Sequence, residues 1–383
     1  MTNLYEACYQ WMTERKIGFA DMVLPHYVAA AGCHVLNLEN KKREFYFEHG
    51  QPADLRLHVF FCAPPGYMKT FILKRCLDRN NSLFGSSVIK TAFLGEMTTA
   101  GFIGTTEMQD GETVEHTGAA YDFQEHILGI DEFSVITNMM QAEHSKNLDN
   151  AMLTALDSGY IIKRLASGEI RYETHLSLFT GSQPARFNLT SGLGRRFDMI
   201  YFVPNKEQQD IMRLARRSGK GVMGVNATTQ MVYHLTEKLT DDIKRIRQMS
   251  FDDSIYTALD EIHIPHFEEP LYEKLAMGYA LATQKIEEDF VVRCSDDVKR
   301  IWHQEYGWRF KIKSGAQDSQ VMQFIVENPG IDEGILKDML LDFGMSYAET
   351  FMAIENLHRQ RRIGIVYDNK DSRIRKRHLW PWH

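Results

Sequence analysis

One stretch constrains the fold of this chain more than any other: an apolar, β-rich run that leads through a short loop into a helical pattern. The run is "LRLHVFFC" (55–62), the loop is "APPGYMKT" (63–70), and "TFILKRCLDRN" (70–80) follows with helical spacing. Two more short apolar runs, "HILGID" (126–131) and "LSLFTGS" (176–182), are typical of buried strands. Short apolar strands separated by helical stretches predict an α/β fold with a mostly parallel sheet.

The loop between the first strand and its helix fits a phosphate-binding pattern. The template GxxxxGK[ST] points backbone N–H groups at phosphate oxygens, and its lysine and hydroxyl reach the β/γ-phosphates and a magnesium ion. Gly66, Lys69 and Thr70 fit, whereas Ala63 and Met68 replace the two other glycines. A Pro-Gly turn before a helix that carries Lys-Thr by chance stays open on the template alone. The predicted nucleotide-binding residues are Ala63, Pro64, Pro65, Gly66, Tyr67, Met68, Lys69, Thr70 and Phe71.

Two later strands end in residues that would complete such a site. "HILGIDEF" ends in Asp131 and Glu132, which predicts that Asp131 and Thr70 hold Mg²⁺ and that Glu132 polarises the attacking water. "LSLFTGSQP" is a further strand with polar residues at its end, where a sensor of the γ-phosphate would lie on an adjacent strand. In "GLGRRFDMIYFV", two arginines precede an apolar strand, either as a solvated turn or as an arginine finger for a neighbouring subunit's site.

Residues 54–205 resemble the AAA+ core of the minichromosome maintenance (MCM) replicative helicases. That family's phosphate loop has the form GDPGxAK[ST], so "APPGYMKT" varies a loop that already lacks the glycine before the lysine. "IDEF" is the family's spelling of the Mg²⁺/water motif, and "SQP" stands where the family has Ala-Asn-Pro, which implies Gln183 as the sensor. "RRFD" is similar to the family's Ser-Arg-Phe-Asp finger and implies Arg196 as the arginine supplied to the next subunit.

Two segments are similar to the family's β-hairpin insertions. The segment "TTAGFIGTTEMQDGETVEHTGAAYDFQEHILGIDEF" carries a strong tight-turn signal at Asp110-Gly111. "LDSGYIIKRLASGEIRYETHLSLF" resembles the second pore hairpin, which implies that Lys163, Arg164 and Arg171 follow the phosphates of one DNA strand. A surface hairpin with solvated charges is the alternative.

The C-terminal part shows a winged-helix pattern. "SQVMQFIVENP", "DEGILKDMLLDF" and "YAETFMAIENLHRQRR" predict three helices, and "IGIVYDNKDSRIRKRHLW" predicts two strands. Basic residues in the second strand and its loop predict contact with duplex DNA, although many winged helices bind protein instead. The cations proposed for DNA are Arg373, Arg375, Lys376 and Arg377, with Lys370 beside them, and Arg359, Arg361 and Arg362 at the end of the third helix belong to the same local basic patch. The expected organisation is a helical segment (1–50), an AAA+ core (51–240), a helical lid (241–316) and the winged helix (317–383).

Composition restricts the setting. The net charge of -7 predicts that nucleic acid binds only through local basic patches, and the five scattered cysteines without a CxxC pair indicate a reducing, cytoplasmic environment. No apolar run is long enough to cross a membrane, and the first residues lack a secretory signal pattern, so we expect no membrane partner. The family's N-terminal oligonucleotide-binding barrel with zinc has no counterpart here, which implies a short viral, plasmid or mobile-element type.

The resemblance implies an enzyme: an ATP- and Mg²⁺-dependent DNA helicase that works in replication as a homo-oligomeric ring, expected to be a hexamer. Three alternatives stay open. One is an origin-recognition or helicase-loader ATPase, and the second is a remodeller of the MoxR or chelatase type that does not act on DNA. The third is a scaffold that does not hydrolyse ATP, which Met68 and Gln183 motivate.

Overall fold

The structure is a computed structural model. It describes residues 2–15, 17, 20–42, 46–47, 54–63, 69–77, 83–84, 88–94, 99–109, 112–133, 153–165, 168–183, 192–202, 206–217, 224–342, 345–359, 361–367 and 377–381.

The described strands and helices follow one another along the whole chain. The strands are β1 (Tyr46–Phe47), β2 (His58–Cys62), β3 (Lys90–Leu94), β4 (Gly104–Gln109), β5 (Glu112–Thr117), β6 (His126–Ile130), β7 (Tyr160–Leu165), β8 (Gly168–Glu173), β9 (Ser177–Ser182), β10 (Phe197–Tyr201), β11 (Gln248–Phe251), β12 (Asp289–Val292), β13 (Ile331–Asp332), β14 (Ile363–Tyr367) and β15 (Arg377–Pro381). The helices are α1 (Leu4–Glu14), α2 (Ala20–Lys42), α3 (Lys69–Leu77), α4 (Thr99–Ile103), α5 (Ala119–Asp122), α6 (Lys206–Arg217), α7 (Ala227–Ile243), α8 (Asp253–Ile262), α9 (Glu269–Thr283), α10 (Asp296–Glu327), α11 (Glu333–Asp342) and α12 (Tyr347–Arg359).

The central feature is a five-stranded parallel sheet in the order β10-β2-β9-β6-β3, flanked by helices. Every residue of β2 and β9 is buried, as expected for inner strands of a parallel sheet that is covered on both faces. The predicted α/β class and the predicted strands β2, β6 and β9 are confirmed. The strand order places β9 between β2 and β6, so the carboxyl ends of these three strands lie side by side.

Both predicted hairpins form. Strands β4 and β5 pair antiparallel up to Gln109 opposite Glu112, while Asp110 and Gly111 lie outside the described residues. Strands β7 and β8 pair antiparallel from Tyr160 opposite Glu173. The two hairpins touch, since a Cβ on Gly168 would lie 2.7 Å from the Thr113 methyl group. A side chain at position 168 would therefore have to displace Thr113.

The N-terminal helices pack onto the region predicted as a lid. A Cβ on Gly32 of α2 would lie 2.6 Å from the carbonyl oxygen of Gly278 in α9, so the two backbones cross where neither has a side chain. Side chains of α1, α2, α7 and α9 join the same apolar core as the central sheet. The region predicted to be helical also contains short strands, because β1, β11 and β12 form a parallel sheet of their own.

The chain divides into two compact units. The first comprises 1–183 and 192–308, and the second comprises 184–191 and 309–383. Helix α10 is continuous over 32 residues and so runs through residue 316, where the sequence predicted the lid to end and the winged helix to begin. Gly307 does not interrupt it, because a glycine inside a helix costs only about 1 kcal/mol relative to alanine.

The second unit has its own apolar core and a small antiparallel sheet in the order β13-β15-β14. Its core side chains come from α10, α11, α12 and the strands, as the predicted pattern of helices and strands requires. No helix in the described part of the chain has the length and apolar character needed to span a membrane.

Candidate active site

The lysine and threonine of the predicted loop stand at the start of a helix that follows a buried strand. Strand β2 ends at Cys62, the Ala63 N–H donates to the Ser182 carbonyl over 3.2 Å, and α3 begins at Lys69. Pro64, Pro65, Gly66, Tyr67 and Met68 lie outside the described residues, so their predicted contacts with phosphate stay predictions. Phe71 is partly exposed, and the Arg75 guanidinium carbon lies 5.2 Å from the centre of its ring.

The acidic pair after β6 meets these two residues. The Thr70 hydroxyl donates to both carboxylate oxygens of Asp131, over 2.7 and 2.8 Å. The Lys69 ammonium donates to the Asp131 carbonyl over 3.0 Å and lies 3.4 Å from Oε2 of Glu132. These groups are 61 to 63 residues apart in the chain. The tertiary structure therefore brings the four central predicted residues into direct contact.

Ser182 belongs to the same cluster, although the sequence analysis did not single it out. Its hydroxyl donates to Oε1 of Glu132 over 3.1 Å, so the carboxylate is held between Ser182 and Lys69. The side chains of Lys69 and Glu132 are only 11% and 17% exposed, which strengthens their electrostatic interaction. The polar run at the end of "LSLFTGSQP" was the available signal, but it does not show which residue faces Glu132.

Gly181 leaves the space that the side chain of Lys69 occupies. A Cβ on Gly181 would lie 2.6 Å from Cδ and 2.9 Å from Cγ of Lys69, and 3.1 Å from the Asp131 carbonyl oxygen. The aliphatic part of the lysine therefore lies directly over the glycine backbone of β9. No side chain larger than hydrogen fits at this position without moving Lys69.

The donor set fits a magnesium–triphosphate complex. A hydroxyl and a carboxylate in contact are oxygen ligands of the kind Mg²⁺ prefers, and Mg²⁺ is usually bound through one or two carboxylates together with substrate phosphates. In the described part of the chain, no cluster of three or more His, Cys, Asp or Glu side chains could hold a metal by itself. Burial raises the pKa of the nearby Cys62 thiol to about 12, so this sulfur stays protonated beside the site.

Gln183 and Arg196 lie at other strand ends. Gln183 directly follows β9 and is half-buried, and its carbonyl oxygen lies 3.4 Å from the Ser182 hydroxyl oxygen. Arg196 precedes β10 and forms an ion pair with Asp157 of its own chain; its side chain is 15% exposed. Arg195 beside it is exposed. Within one copy, Arg196 thus contacts Asp157, and its predicted role in a neighbouring copy stays a prediction.

The segment before the second hairpin is fastened to the sheet. His58 of β2 accepts a hydrogen bond from the Leu178 N–H at Nδ1 and donates from Nε2 to the Leu156 carbonyl, each over 3.0 Å. Burial, together with nearby positive charges, lowers the pKa of His58 well below its usual value, so the ring is neutral. Arg56 donates to the Asp157 carbonyl over 3.2 Å. Residue 156 is thereby bound to β2, and residue 157, three residues before β7, is bound to Arg56 just ahead of β2.

The three cations predicted on the second hairpin have different surroundings. Arg164 is 85% exposed and pairs with Glu169 over 2.8 Å. Arg171 is exposed and donates to the Tyr160 hydroxyl over 2.7 Å. Lys163 is half-buried, donates to the Gly104 carbonyl over 3.4 Å, and has its pKa lowered by burial. Two of the three predicted cations therefore face solvent, and Lys163 faces the first hairpin.

The first hairpin carries the opposite charge. The stretch 104–117 contains four acidic residues and no lysine or arginine. Glu107, Glu112 and Glu115 are exposed, and so is Met108. A surface of this kind repels phosphates.

Arg377, the one described cation among those predicted on the wing, is occupied within its unit, whereas Arg359, Arg361 and Arg362 are exposed. Arg377 lies 2.9 Å from Glu333 and 2.6 Å from Glu355, and its guanidinium stands 5.8 Å from the centre of the Phe351 ring. Strand β15 is thereby joined to both α11 and α12. Lys370, Arg373, Arg375 and Lys376 lie outside the described residues, so their predicted contact with DNA stays a prediction.

Comparison of the chain with protein-family models gives no match, and comparison with curated proteins gives none either.

Proposed function

We propose that the protein hydrolyses ATP with Mg²⁺ at the site formed by Lys69, Thr70, Asp131 and Glu132. The observation that carries the proposal is the contact of Lys69 and Thr70 at the start of α3 with the acidic pair at the end of β6. A cation and a hydroxyl at a helix start, opposite two carboxylates, match the parts that phosphoryl transfer to water requires.

Each of these side chains has a distinct task in the proposed reaction. Lys69 stabilises negative charge on the β- and γ-phosphates, and Glu132 accepts a hydrogen bond from the attacking water. Ser182 keeps the Glu132 carboxylate in place through its hydroxyl. Thr70 and Asp131 would hold Mg²⁺, which supplies charge neutralisation between the phosphates.

We further propose that the ATPase moves DNA through a ring, as the MCM resemblance implies. Two observations support this use: both hairpins form at the places that the resemblance predicts, and Arg164 and Arg171 face solvent on the second one. In a ring, which we expect to be a hexamer, Arg196 would turn from Asp157 towards the triphosphate of the next copy.

A remodeller that acts on protein is the second candidate. The acidic first hairpin favours it, because four carboxylates and no cation disfavour contact with a phosphate backbone. Exposed Met108 at the same hairpin suits an apolar polypeptide contact. The two candidates share the same ATP chemistry and differ in the polymer that the hairpins touch.

The test of the proposed hydrolysis is the Glu132→Gln variant. We expect it to bind a labelled ATP analogue with Mg²⁺ as the unchanged protein does, and to hydrolyse ATP about 10³-fold more slowly, because the group that polarises water is lost. Glu287→Gln is the control, since Glu287 is 65% exposed and pairs only with surface Lys285 over 3.0 Å. Equal hydrolysis by wild type and Glu132→Gln would contradict the proposed site.

The same assay distinguishes the two uses. Hydrolysis that rises with forked DNA, accompanied by strand displacement, supports translocation along DNA. Hydrolysis that ignores DNA and rises with an unfolded polypeptide supports the remodeller. Binding of ATP with no hydrolysis by any form identifies a scaffold and excludes both.

A further inference from the structure

Arg196 and Asp157 form an ion pair within one copy, although they stand 39 residues apart in the chain. Nη2 of Arg196 donates to Oδ2 of Asp157. The arginine side chain is 15% exposed and the aspartate side chain is 54% exposed, so the arginine is the more buried partner. An ion pair with an exposed partner, screened by water, contributes little to the stability of a fold. Stability alone therefore does not account for this contact.

One residue of β2, His58, supports both partners. Phe197, which directly follows Arg196, lies opposite His58 in the register of β10 and β2, and the centres of the two rings are 5.9 Å apart. Leu156, which directly precedes Asp157, binds Nε2 of His58 through its carbonyl oxygen over 3.0 Å. The fold therefore brings Arg196 and Asp157 together at the start of β2.

Arg196 lies at the opposite end of the sheet from the candidate active site. Strands β10 and β2 are parallel, so Arg196 stands beside the start of β2, whereas Lys69 follows its end. The five residues of β2 separate the two ends by roughly 16 Å. In the proposed function, Arg196 accordingly serves the triphosphate of a neighbouring copy and not that of its own.

The helix that ends at Asp157 does not account for the carboxylate. Residues 153–157 are helical, and the N–H groups of Ser158 and Gly159 each donate to the Thr154 carbonyl over 3.0 Å, which closes the helix. An acidic side chain in the last turn of a helix meets the partial negative charge of the free carbonyl groups. The carboxylate is therefore favourable at this position through Arg196 and not through the helix.

The carboxylate competes with a triphosphate for the same guanidinium. An arginine stabilises the transition state of phosphoryl transfer through its positive charge. A carboxylate in contact compensates that charge, and an exposed one also repels the incoming phosphates. Arg196 therefore offers its full charge to a neighbouring copy only after it has left Asp157.

We infer, on the basis of the proposed function, that Asp157 holds Arg196 within its own copy and thereby restrains ATP hydrolysis by the neighbouring copy. Asp157 acts through Arg196, so it is a positioning residue. Removal of its charge releases the arginine and raises the rate of hydrolysis. A partly exposed ion pair shifts such an equilibrium by a factor of about five at most, which sets the size of the expected effect.

The test compares ATP hydrolysis by the full chain at saturating Mg²⁺ and ATP, without added polymer, in wild type and Asp157→Asn. Asparagine keeps the size of the side chain and removes its charge, so we expect kcat to rise about fivefold. Asp157→Glu, which restores the charge, should return kcat towards the wild-type value. Asp297→Asn is the matched control and should leave kcat unchanged, since Asp297 is 58% exposed and pairs with Arg300 of the same helix over 3.0 Å.

The dependence on Arg196 separates this role from a structural one. Arg196→Ala should lower kcat about 10³-fold, as loss of an arginine finger does. In that background Asp157→Asn should have no further effect, because the side chain through which it acts is gone. An aspartate that only stabilised the fold would lower kcat on replacement, with or without Arg196.

A second measurement does not depend on hydrolysis. Phenylglyoxal modifies accessible arginine side chains, and peptide mass spectrometry gives the rate of modification at each position. We expect Arg196 to react about fivefold faster in Asp157→Asn than in wild type, because its ion pair is lost. Arg195, which is exposed, should react equally in both proteins and is the internal reference.

Three outcomes would overturn the inference. The first is a kcat that does not rise in Asp157→Asn while Glu132→Gln hydrolyses ATP far more slowly than wild type; the proposed site then stands and the restraint does not. The second is a rise that persists in the Arg196→Ala background. The third is an unchanged rate of Arg196 modification in Asp157→Asn. Equal hydrolysis by wild type and Glu132→Gln contradicts the proposed function itself, and the restraint with it, while the modification rate still reports whether Asp157 holds Arg196.

Discussion

The candidate active site and the C-terminal unit each hold a cation against carboxylates, yet the two arrangements have different consequences. Lys69 lies 3.4 Å from Glu132 at the open ends of three strands, with its stem over the bare backbone of Gly181. Arg377 lies between Glu333 and Glu355 and links a strand to two helices. The first cation lies where we propose that a nucleotide binds, whereas the second joins a strand to two helices of its own unit. Two basic residues that look alike in the sequence therefore have different neighbours in the fold.

Among the substitutions that test this comparison, the largest effect is expected for Gly181→Ala, which tests the position of Lys69. The new Cβ would lie 2.6 Å from Cδ of Lys69 and would push the ammonium away from its present position. We expect kcat/KM for ATP hydrolysis to fall about 10²-fold, the size of effect that a displacement of about 1 Å produces. Steady-state kinetics measure it.

Gly307→Ala is the matched control for that substitution. A Cβ on Gly307 would meet no atom within 4 Å, and the residue lies inside helix α10. Activity should be unchanged and stability should rise slightly, because alanine favours the helix by about 1 kcal/mol. Unchanged activity in Gly181→Ala would mean that Lys69 does not act from the place where the structure holds it.

A smaller effect is expected for Ser182→Ala. The hydrogen bond from Ser182 to the Glu132 carboxylate contributes about 1.5 kcal/mol, and its loss should lower kcat about tenfold with little change in KM. Kinetics at saturating ATP measure the change. Ser182 acts through Glu132, so it is a positioning residue.

The combination of Ser182→Ala with Glu132→Gln tests that dependence. If Ser182 works only by holding Glu132, its replacement should cost nothing further once Glu132 is gone. An undiminished additional loss in the double variant would show that Ser182 has another task, such as contact with substrate.

The smallest effect, for Arg377→Ala, tests the second half of the comparison. Loss of the contacts with Glu333 and Glu355 should destabilise the C-terminal unit by about 1 kcal/mol, because the side chains are partly exposed and screened by water. Hydrogen exchange of the amides in α11 should accelerate about fivefold. Arg362→Ala, which changes an exposed arginine of the same unit, is the control.

The comparison fails if Arg377→Ala weakens duplex DNA binding and leaves that exchange rate unchanged. Arg377 would then bind DNA, as the sequence alone suggested, and its ion pairs would not stabilise the C-terminal unit.

The sequence predicted the main parts of the fold because their signals are local. Apolar runs located β2, β6 and β9, and the Asp110-Gly111 pair located the β4–β5 hairpin around it. The same kind of local signal missed β11 and β12, because strands of four residues carry too little periodicity to stand out among helices. It also placed the end of the lid at residue 316, inside α10, because a change of pattern along the chain does not show whether a helix continues across it.

The sequence by itself determined that Lys69, Thr70, Asp131 and Glu132 each follow a strand or begin a helix, since such positions are readable along the chain; their role in phosphate chemistry stays a prediction. Only the tertiary structure decided that Ser182 holds Glu132, that Gly181 makes room for Lys69, and that Arg377 is engaged by Glu333 and Glu355. The physical reason is that a charge or a hydrogen bond depends on its neighbours in space. Those neighbours come from distant segments, such as those of Lys69 and Gly181, 112 residues apart in the chain, where no local pattern can show them.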